Sequence, residues 1–274
     1  MEVTKNLVEN LTNQILAKIK NKPSIAIILG SGLADIANQL ENKVVIRYSE
    51  LNGMPTSKVE GHKSQFIVGE LYGKTVIAMQ GRFHPYDGFT AKECALPIYL
   101  FKLLGVETCI ITNSSGGVNK DYNAGDLMLI KNHINLTGMN PLIGGAIIEY
   151  GVQFVDLNDV YYKPYRELVK KLAKENNIDI KEGVFLQDLG PSYETGAEVN
   201  FFRTIGADAV SMSTVLEVIA AGQCGLKVLG ISCIANKAIS EDNTEVLTHE
   251  EVLQSAKVAS KNLTILLKKF IKQI

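Results

Sequence analysis

The segment Gly81-Arg82-Phe83-His84-Pro85-Tyr86-Asp87-Gly88 carries the residue types best suited to gripping an anion. It follows an apolar run, Thr75 to Met79, which predicts a strand. Side chains on extended backbone alternate between faces, so Arg82 and His84 are expected on one face at the strand's end, with Tyr86 beside them. A guanidinium and an imidazole converging between glycines suit an oxyanion such as phosphate, because the glycines let main chain approach the ligand. A surface turn with a solvated Arg and His is the competing reading of this segment alone, so the other loops must decide between them.

Three further loops offer hydroxyls or main-chain N–H groups. The run Ile25 to Leu29 leads into Gly30-Ser31-Gly32 and then a predicted helix from near Leu33. A strand, a glycine turn and a helix N-terminus together favour a bound anion. A Rossmann dehydrogenase shares that outline, but its fingerprint wants Gly or Ala at position 35, where Asp35 stands, and no clean acidic strand end follows about 20 residues later. A second strand ends at Thr112 and opens into Asn113-Ser114-Ser115-Gly116-Gly117. At Met212-Ser213-Thr214 a short strand gives way to a helix, with Thr214 and Glu217 at capping-box spacing. Capping accounts for Thr214 and Glu217 and leaves Ser213 to offer its hydroxyl to phosphate. Two segments remain. Gly190-Pro191-Ser192-Tyr193-Glu194-Thr195 sets an aromatic ring beside a carboxylate, and Ser232-Cys233-Ile234-Ala235-Asn236-Lys237 ends an apolar strand with an amide. Both have structural alternatives: Glu194 as the cap of the following helix, Asn236 as a turn residue.

The elements that must position these loops alternate along the chain. Strands are predicted at Ser24–Leu29, Gln65–Leu71, Thr75–Met79, Glu107–Thr112, Asp126–Ile130, Ala209–Val210 and Lys227–Cys233. Helical patterns fall at Leu33–Leu40, Lys92–Leu104, Tyr165–Asn176, Ala197–Ile205 and Thr214–Cys224. This interleaving predicts an α/β fold around one sheet. The short link Tyr72-Gly73-Lys74 makes part of that sheet an antiparallel hairpin, so the sheet should be mixed. Thr248 with Glu251 makes a capping box for a final helix whose apolar stripe runs from Val252 through Ala259, Leu263, Leu266 and Phe270. His249, at that helix's start, either reaches a cleft or is solvated. With no low-complexity linker and no internal repeat, the whole chain, 1–274, reads as one domain.

Composition narrows the function classes. The chain has 274 residues, 46% of them apolar, enough for a large core. Its net charge is −1, with 28 Lys and Arg spread along it, which gives no sign of a nucleic-acid surface. Met1 to Lys20 reads as an amphipathic helix rather than a signal peptide. No apolar run approaches the roughly 20 residues needed to span a bilayer. Cys94, Cys109, Cys224 and Cys233 lack metal-ligand spacing, and the expectation is buried thiols in a reducing cytoplasm.

Taken together, Gly30 to Gly32, Gly81 to Gly88, Thr112 to Gly117, Gly190 to Thr195, Val210 to Thr214 and Asn236-Lys237, in this order and spacing, closely resemble the homotrimeric class of purine nucleoside phosphorylases. The similarity runs from about Pro23 to the last helix. It implies a single α/β domain with a mixed, partly barrel-like sheet. It also implies a cytoplasmic homotrimer that cleaves 6-oxopurine ribo- and deoxyribonucleosides, such as inosine and guanosine, with phosphate. The products would be free base and (deoxy)ribose 1-phosphate, with inorganic phosphate as co-substrate and no metal or cofactor. The resemblance gives phosphate to Ser31, Arg82, His84, Ser213 and the Ser114 N–H, with His62 at the mouth of the phosphate site. It gives ribose to Tyr86, Met212 and His249, with Phe154 reaching into a neighbouring subunit's site, and the base to Tyr193, Glu194, Val210 and Asn236. Asn236, Glu194 and His84 would carry the catalysis. Some positions depart from the family pattern: Ala235 replaces a commoner Thr or Ser, Tyr193 a commoner Phe, and Ser114 and Ser115 commoner Ala residues. Methylthioadenosine phosphorylases share the fold and the phosphate loops, but they usually have Asp around position 236 and a small residue at 194, so Glu194 and Asn236 argue against them. A nucleoside-binding protein that had lost catalysis would show changes at Arg82, His84 or Asn236, and all three are present.

Overall fold

The computed structural model describes residues 2–30, 33, 35–56, 63–145, 147–238 and 249–274, with the side chains of 148 and 249–258 left out. Among the described residues nine strands form a single sheet: β1 (Ile25–Leu29), β2 (Glu41–Arg47), β3 (Gln65–Leu71), β4 (Lys74–Gln80), β5 (Thr108–Gly117), β6 (Leu127–Asn135), β7 (Ile180–Gln187), β8 (Ala209–Ser211) and β9 (Lys227–Lys237). Their order is β2-β3-β4-β1-β5-β8-β7-β6-β9, and β5 also pairs with β9. That extra pairing closes β5, β8, β7, β6 and β9 into a five-stranded barrel. The β5–β9, β6–β7 and β7–β8 pairs are parallel, and β5–β8 and β6–β9 antiparallel. The mixed, partly barrel-like sheet implied by the sequence is therefore present, and the predicted hairpin is the antiparallel β3–β4 pair.

Among the described residues seven α-helices flank the sheet: α1 (Lys5–Leu16), α2 (Asp35–Asn38), α3 (Ala91–Leu104), α4 (Lys163–Glu175), α5 (Gly196–Thr204), α6 (Val215–Gln223) and α7 (His249–Gln273). Because side chains alternate, β1 feeds two cores. Ala26 and Ile28 pack with α1, α3 and α6, whereas Ile25, Ile27 and Leu29 pack with α2, α4 and α7. Every residue of β1 is buried, which explains its unbroken apolar run. All four cysteines are free and buried. Among the described residues no helix is long and apolar enough to cross a membrane.

The sequence reading shortened several strands. β5 continues through Asn113-Ser114-Ser115-Gly116-Gly117, which read as a loop, and β9 continues to Lys237. Polar residues are tolerated inside these paired strands because they satisfy one another. Ser232 Oγ donates to Asn113 Oδ1 and hydrogen-bonds Ser115 Oγ at 2.9 Å. β6 runs on to Asn135, beyond the predicted end at Ile130. Two strands were not predicted at all. β2 is a mostly exposed edge strand whose Val44, Val45 and Ile46 stand between charged residues, and β7's Val184, Phe185 and Leu186 follow Lys181, Glu182 and Gly183, so in neither does the apolar run extend over the strand. The helix expected from near Leu33 to Leu40 is a single turn.

One glycine is fixed by strand approach. A Cβ on Gly30 would lie 2.7 Å from Asn113 Cα and 3.0 Å from the Thr112 carbonyl oxygen, both backbone atoms that cannot yield cheaply. The Gly30 N–H also donates to Thr112 Oγ1 at 3.0 Å, and that hydroxyl donates to the Ile28 carbonyl. The ends of β1 and β5 are thus locked side by side. Gly30→Ala should cost about 1–3 kcal/mol by overpacking, read as a lower denaturation midpoint with an unchanged denaturant slope.

Candidate active site

The ends of β1, β5, β8 and β9 border a cleft of about 800 Å³, open at its mouth, and its lining includes most of the residues singled out in the sequence. One end is cationic. After β4, the predicted alternation holds for Arg82, Phe83 and His84, and Tyr86 follows on a single 3₁₀ turn, Pro85–Asp87. Arg82, His84 and Tyr86 face the cleft. Phe83 turns into the core, its ring centroid 5.8 Å from Tyr48 and 4.9 Å from Phe89. The Tyr48 hydroxyl, fully buried, donates to the Gly81 carbonyl at 2.9 Å and anchors the start of the segment. The His84 and Tyr86 rings stack with centroids 4.6 Å apart, and His84 Nδ1 lies 3.9 Å from Asp87 Oδ2.

Arg82 is 2% exposed, and its guanidinium is held on three sides. Nη1 donates to Ser213 Oγ at 2.7 Å and to Thr214 Oγ1 at 3.2 Å, while Nη2 donates to the Thr112 carbonyl at 2.6 Å. Its Nε faces Glu217 Oε1 at 3.7 Å. Ser213 accepts from Arg82, so its own hydroxyl hydrogen is left to turn toward a neighbouring acceptor. An anion placed between Ser213, Arg82 and His84 would supply one.

The turn that carries Ser213 is strained. Thr214 has φ 90° and ψ −51°, a region that β-branched residues rarely occupy and that costs about 1–3 kcal/mol. Three bonds hold it there: Asn113 Nδ2 donates to Thr214 Oγ1 at 2.9 Å, Arg82 donates to the same oxygen, and the Thr214 N–H donates to Glu217 Oε2 at 3.0 Å. The first N–H groups of α6 are taken by Gln187 Oε1, which accepts from Val215 at 2.6 Å and from Leu216 at 3.4 Å. The capping reading of Thr214 and Glu217 is thus incomplete. The Glu217 carboxylate does bind the Thr214 N–H, but it also faces Arg82, and the Thr214 hydroxyl serves Arg82 and Asn113. Sequence reasoning missed Thr112, Asn113, Gln187 and the second role of Glu217. Only Asn113 carried a signal, as the first residue of a small polar run.

The other end of the cleft is lined by Tyr193, Glu194, Val210, Met212 and Asn236. Gly116 sits at their meeting point, where a Cβ would be 3.6 Å from Val210 Cγ1 and 3.7 Å from Asn236 Nδ2. A Cβ on Gly190 would come within 2.3 Å of Met212 Sδ, so the 190–194 segment is pressed against the Met212 turn. Glu194 does not cap α5. Thr195 and Glu198 do that through a complete capping box. Instead Glu194 faces the cleft, and burial pushes its carboxyl up to about 7, with Asp188 and Glu198 adding like charge. Asn236 Nδ2 donates to the Lys237 carbonyl at 3.0 Å, which leaves its second N–H and its oxygen for a ligand. Ser114 also lines the cleft, and Ser115 Oγ is engaged by Ser232. Among the described residues no three His, Cys, Asp or Glu side chains gather in a group able to hold a metal ion.

Of the residues named from the sequence, Phe154 is described and does not line this cleft, and three others cannot be placed. Ser31 and His62 lie outside the described residues, and His249 opens α7 with its side chain likewise outside them. Phe154 is 90% exposed and borders a different, shallow groove with Leu142, Ile143 and Leu157.

An anion grip at one end and hydrogen-bonding groups suited to a heterocycle at the other are what a nucleoside phosphorylase requires. The chain belongs to the phosphorylase superfamily, whose sequence model matches residues 24–272. It is 45% identical over 269 residues to purine nucleoside phosphorylase 1 of Bacillus subtilis, covering 98% of this chain and 99% of that one. Its fold is similar to that of Schistosoma mansoni purine nucleoside phosphorylase solved with inosine, with a TM-score of 0.94, 33% identity, and coverage of 99% of this chain and 97% of that one. A purine nucleoside phosphorylase solved with ribose 1-phosphate gives a TM-score of 0.91 at 33% identity, covering 100% and 99%.

Removing Arg82's charge should expose how much of this site is one electrostatic unit. Arg82→Met leaves Glu217 buried without its cation, and breaking such a pair from one side costs about 3–5 kcal/mol. Adding Glu217→Gln should recover most of that loss in a denaturant double-mutant cycle. Additive costs would contradict the coupling.

Proposed function

We propose that this protein is a purine-nucleoside phosphorylase that cleaves 6-oxopurine ribo- and deoxyribonucleosides with phosphate, releasing free base and (deoxy)ribose 1-phosphate. The observation that carries the reading is the polarity of the cleft, with Arg82, His84 and Ser213 at one end and Glu194 and Asn236 at the other. Phosphate held at the cationic end sits under C1′ of a sugar lying along Tyr86 and Met212. Ser31 and the Ser114 N–H complete its cradle, and His62 stands at its mouth. His249 serves the ribose 5′ end.

Glycosidic cleavage passes through an oxocarbenium-like state, with positive charge on the sugar and negative charge growing on the departing base. Phosphate itself supplies the nucleophile and the compensating charge, so the protein's contribution on that side is to hold it in place. No cofactor is needed in this scheme. On the leaving-group side, the Asn236 oxygen accepts from a protonated N7 and its NH₂ donates to O6. Both contacts strengthen as charge accumulates on the base, so they lower the barrier rather than merely binding the substrate. Tyr193 and Val210 cover the faces of the purine. Ionised Glu194 accepts from N1–H. Adenine lacks that hydrogen and presents a donor at position 6, so both polar contacts mismatch, a penalty that can reach factors of ~10⁴ in selectivity.

We further propose a homotrimer in which Phe154 enters the ribose end of a neighbouring subunit's cleft. Its 90% exposure, beside Val152 at 60% and Ile143 at 69%, supports this, since clustered apolar side chains of that size mark interaction surfaces.

Kinetics and mass check this reading. Asn236→Ala should lower kcat for inosine by about 10²-fold or more, because a bond that strengthens in the transition state is lost. The acid form of Glu194 loses the charge that strengthens its bond from N1–H and keeps only a weaker, neutral acceptor, so kcat/KM for inosine should fall as pH drops through about 7, and Glu194→Gln should lose that limb. Adenosine turned over as fast as inosine would contradict the base-pocket assignment. Sedimentation should give three chain masses, and Phe154→Ala should raise KM for inosine; a monomer with full activity would contradict the shared site.

A further inference from the structure

Among the described residues Glu217 is the carboxylate placed directly behind Arg82, and the phosphorolysis scheme leaves it without a role. It is 2% exposed and stands on the first turn of α6. Its Oε2 accepts the Thr214 N–H at 3.0 Å, while its Oε1 has no hydrogen-bond partner and faces Arg82 Nε at 3.7 Å. Among the described residues, the other titratable groups shifted by its charge are Tyr48, Cys94 on α3, Cys109 on β5 and Tyr161. Burial pushes each of these well above its ordinary range, so all four are neutral. His84, with Asp87 beside it, lies on the cleft side of the same segment as Arg82. Arg82 is therefore the cation that balances Glu217.

That balance holds only while the grip is empty. A buried guanidinium cannot shed its proton, so without an anion it needs the Glu217 carboxylate. A phosphate dianion brought against Arg82 and Ser213 takes over the neutralisation. Glu217 is then left as a buried negative charge a few ångströms behind a doubly negative ligand, with nothing else to offset it. Both burial and like charge favour the protonated carboxyl in that state.

Resting on the phosphate site proposed above, we infer that Glu217 is an internal counter-ion that phosphate displaces: on phosphate binding Glu217 Oε1 takes one proton from solution, so anion capture is coupled to proton uptake at a group that never touches the anion. The proton adds to the carboxylate and no other bond changes. The neutral carboxyl keeps Oε2 for the Thr214 N–H, so the Ser213 turn stays in place throughout. Burial alone already pushes the Glu217 carboxyl up, with Arg82 and the Thr214 N–H pulling it back, which leaves it poised to respond. Glu217 would act as a positioning and charge-tuning residue, since it reaches phosphate only through Arg82 and Ser213.

The direct test is infrared difference spectroscopy of the full-length protein on addition of inorganic phosphate at pH 8, with binding confirmed by calorimetry on the same samples. A protonated-carboxyl C=O stretch should appear, shift when the glutamates carry ¹³C carboxyl groups, and vanish in Glu217→Gln. Gln retains an oxygen for the Thr214 N–H. In that variant the KM for phosphate should drop several-fold at pH 8 and rise less steeply with pH than in the unaltered protein. If that variant does not fold, Glu194→Gln decides: the label-sensitive band should persist there, and its loss would assign the proton to Glu194 and overturn the inference. Phosphate binding without the band, a band indifferent to glutamate labelling, or one that persists in Glu217→Gln would overturn the inference. Absence of phosphate binding altogether would overturn the phosphorylase reading itself.

Discussion

A guanidinium buried to 2% exposure dictates the arrangement of everything near it. Such a group costs several kcal/mol to desolvate unless its donors and its charge are met. Arg82 is met from three separate parts of the chain: the Thr112 carbonyl on β5, the hydroxyls of Ser213 and Thr214 after β8, and the Glu217 carboxylate on α6. None of the three is near Arg82 in sequence. The β5–β8 pairing that helps to close the barrel also brings the first two together, and α6 must begin directly after them to supply the third. The arrangement around Arg82 is thus a property of the closed barrel rather than of any one loop.

The same requirement accounts for the strained turn. Thr214 adopts a backbone conformation that glycine would take easily, yet a glycine there would remove the hydroxyl that accepts from both Arg82 and Asn113. Asn113 is held in turn by Ser232 on β9, so a chain of polar contacts runs across β5 from one barrel strand to the turn. Its members are almost entirely buried and each has a partner, which is the condition under which a polar core specifies one arrangement instead of several. At the far end of the cleft the contacts are looser. Glu194 and Asn236 each keep hydrogen-bonding capacity in reserve, as a surface that must recognise a changing ligand should.

Much of this was legible in the sequence, and the failures have physical causes. The alternation Arg82–Phe83–His84 announced its two faces because a charge, a ring and an imidazole cannot share one environment. The apolar strands β1, β3 and β4 were clear for the same reason. The polar ends of β5 and β9 looked like loops, since Asn, Ser and Gly usually mark turns; only their cross-strand partners, invisible in sequence, let them sit in a ladder. β2 and β7 lack an apolar period. Glu217 read as a cap, correctly for one oxygen, but nothing in a local pattern reveals that the other oxygen meets Arg82, 135 positions away by subtraction of 82 from 217. Phe154 stands apart from the cleft of its own chain, and only the family resemblance gave it a role.

The central claim is that phosphate, gripped at the Arg82 end, is the nucleophile that cleaves a 6-oxopurine nucleoside. The most direct measurement follows hypoxanthine release from inosine with and without inorganic phosphate, and identifies the sugar product. Release that requires phosphate, with ribose 1-phosphate formed in equal amount, is the predicted result. Release of free ribose at the same rate without phosphate would contradict it.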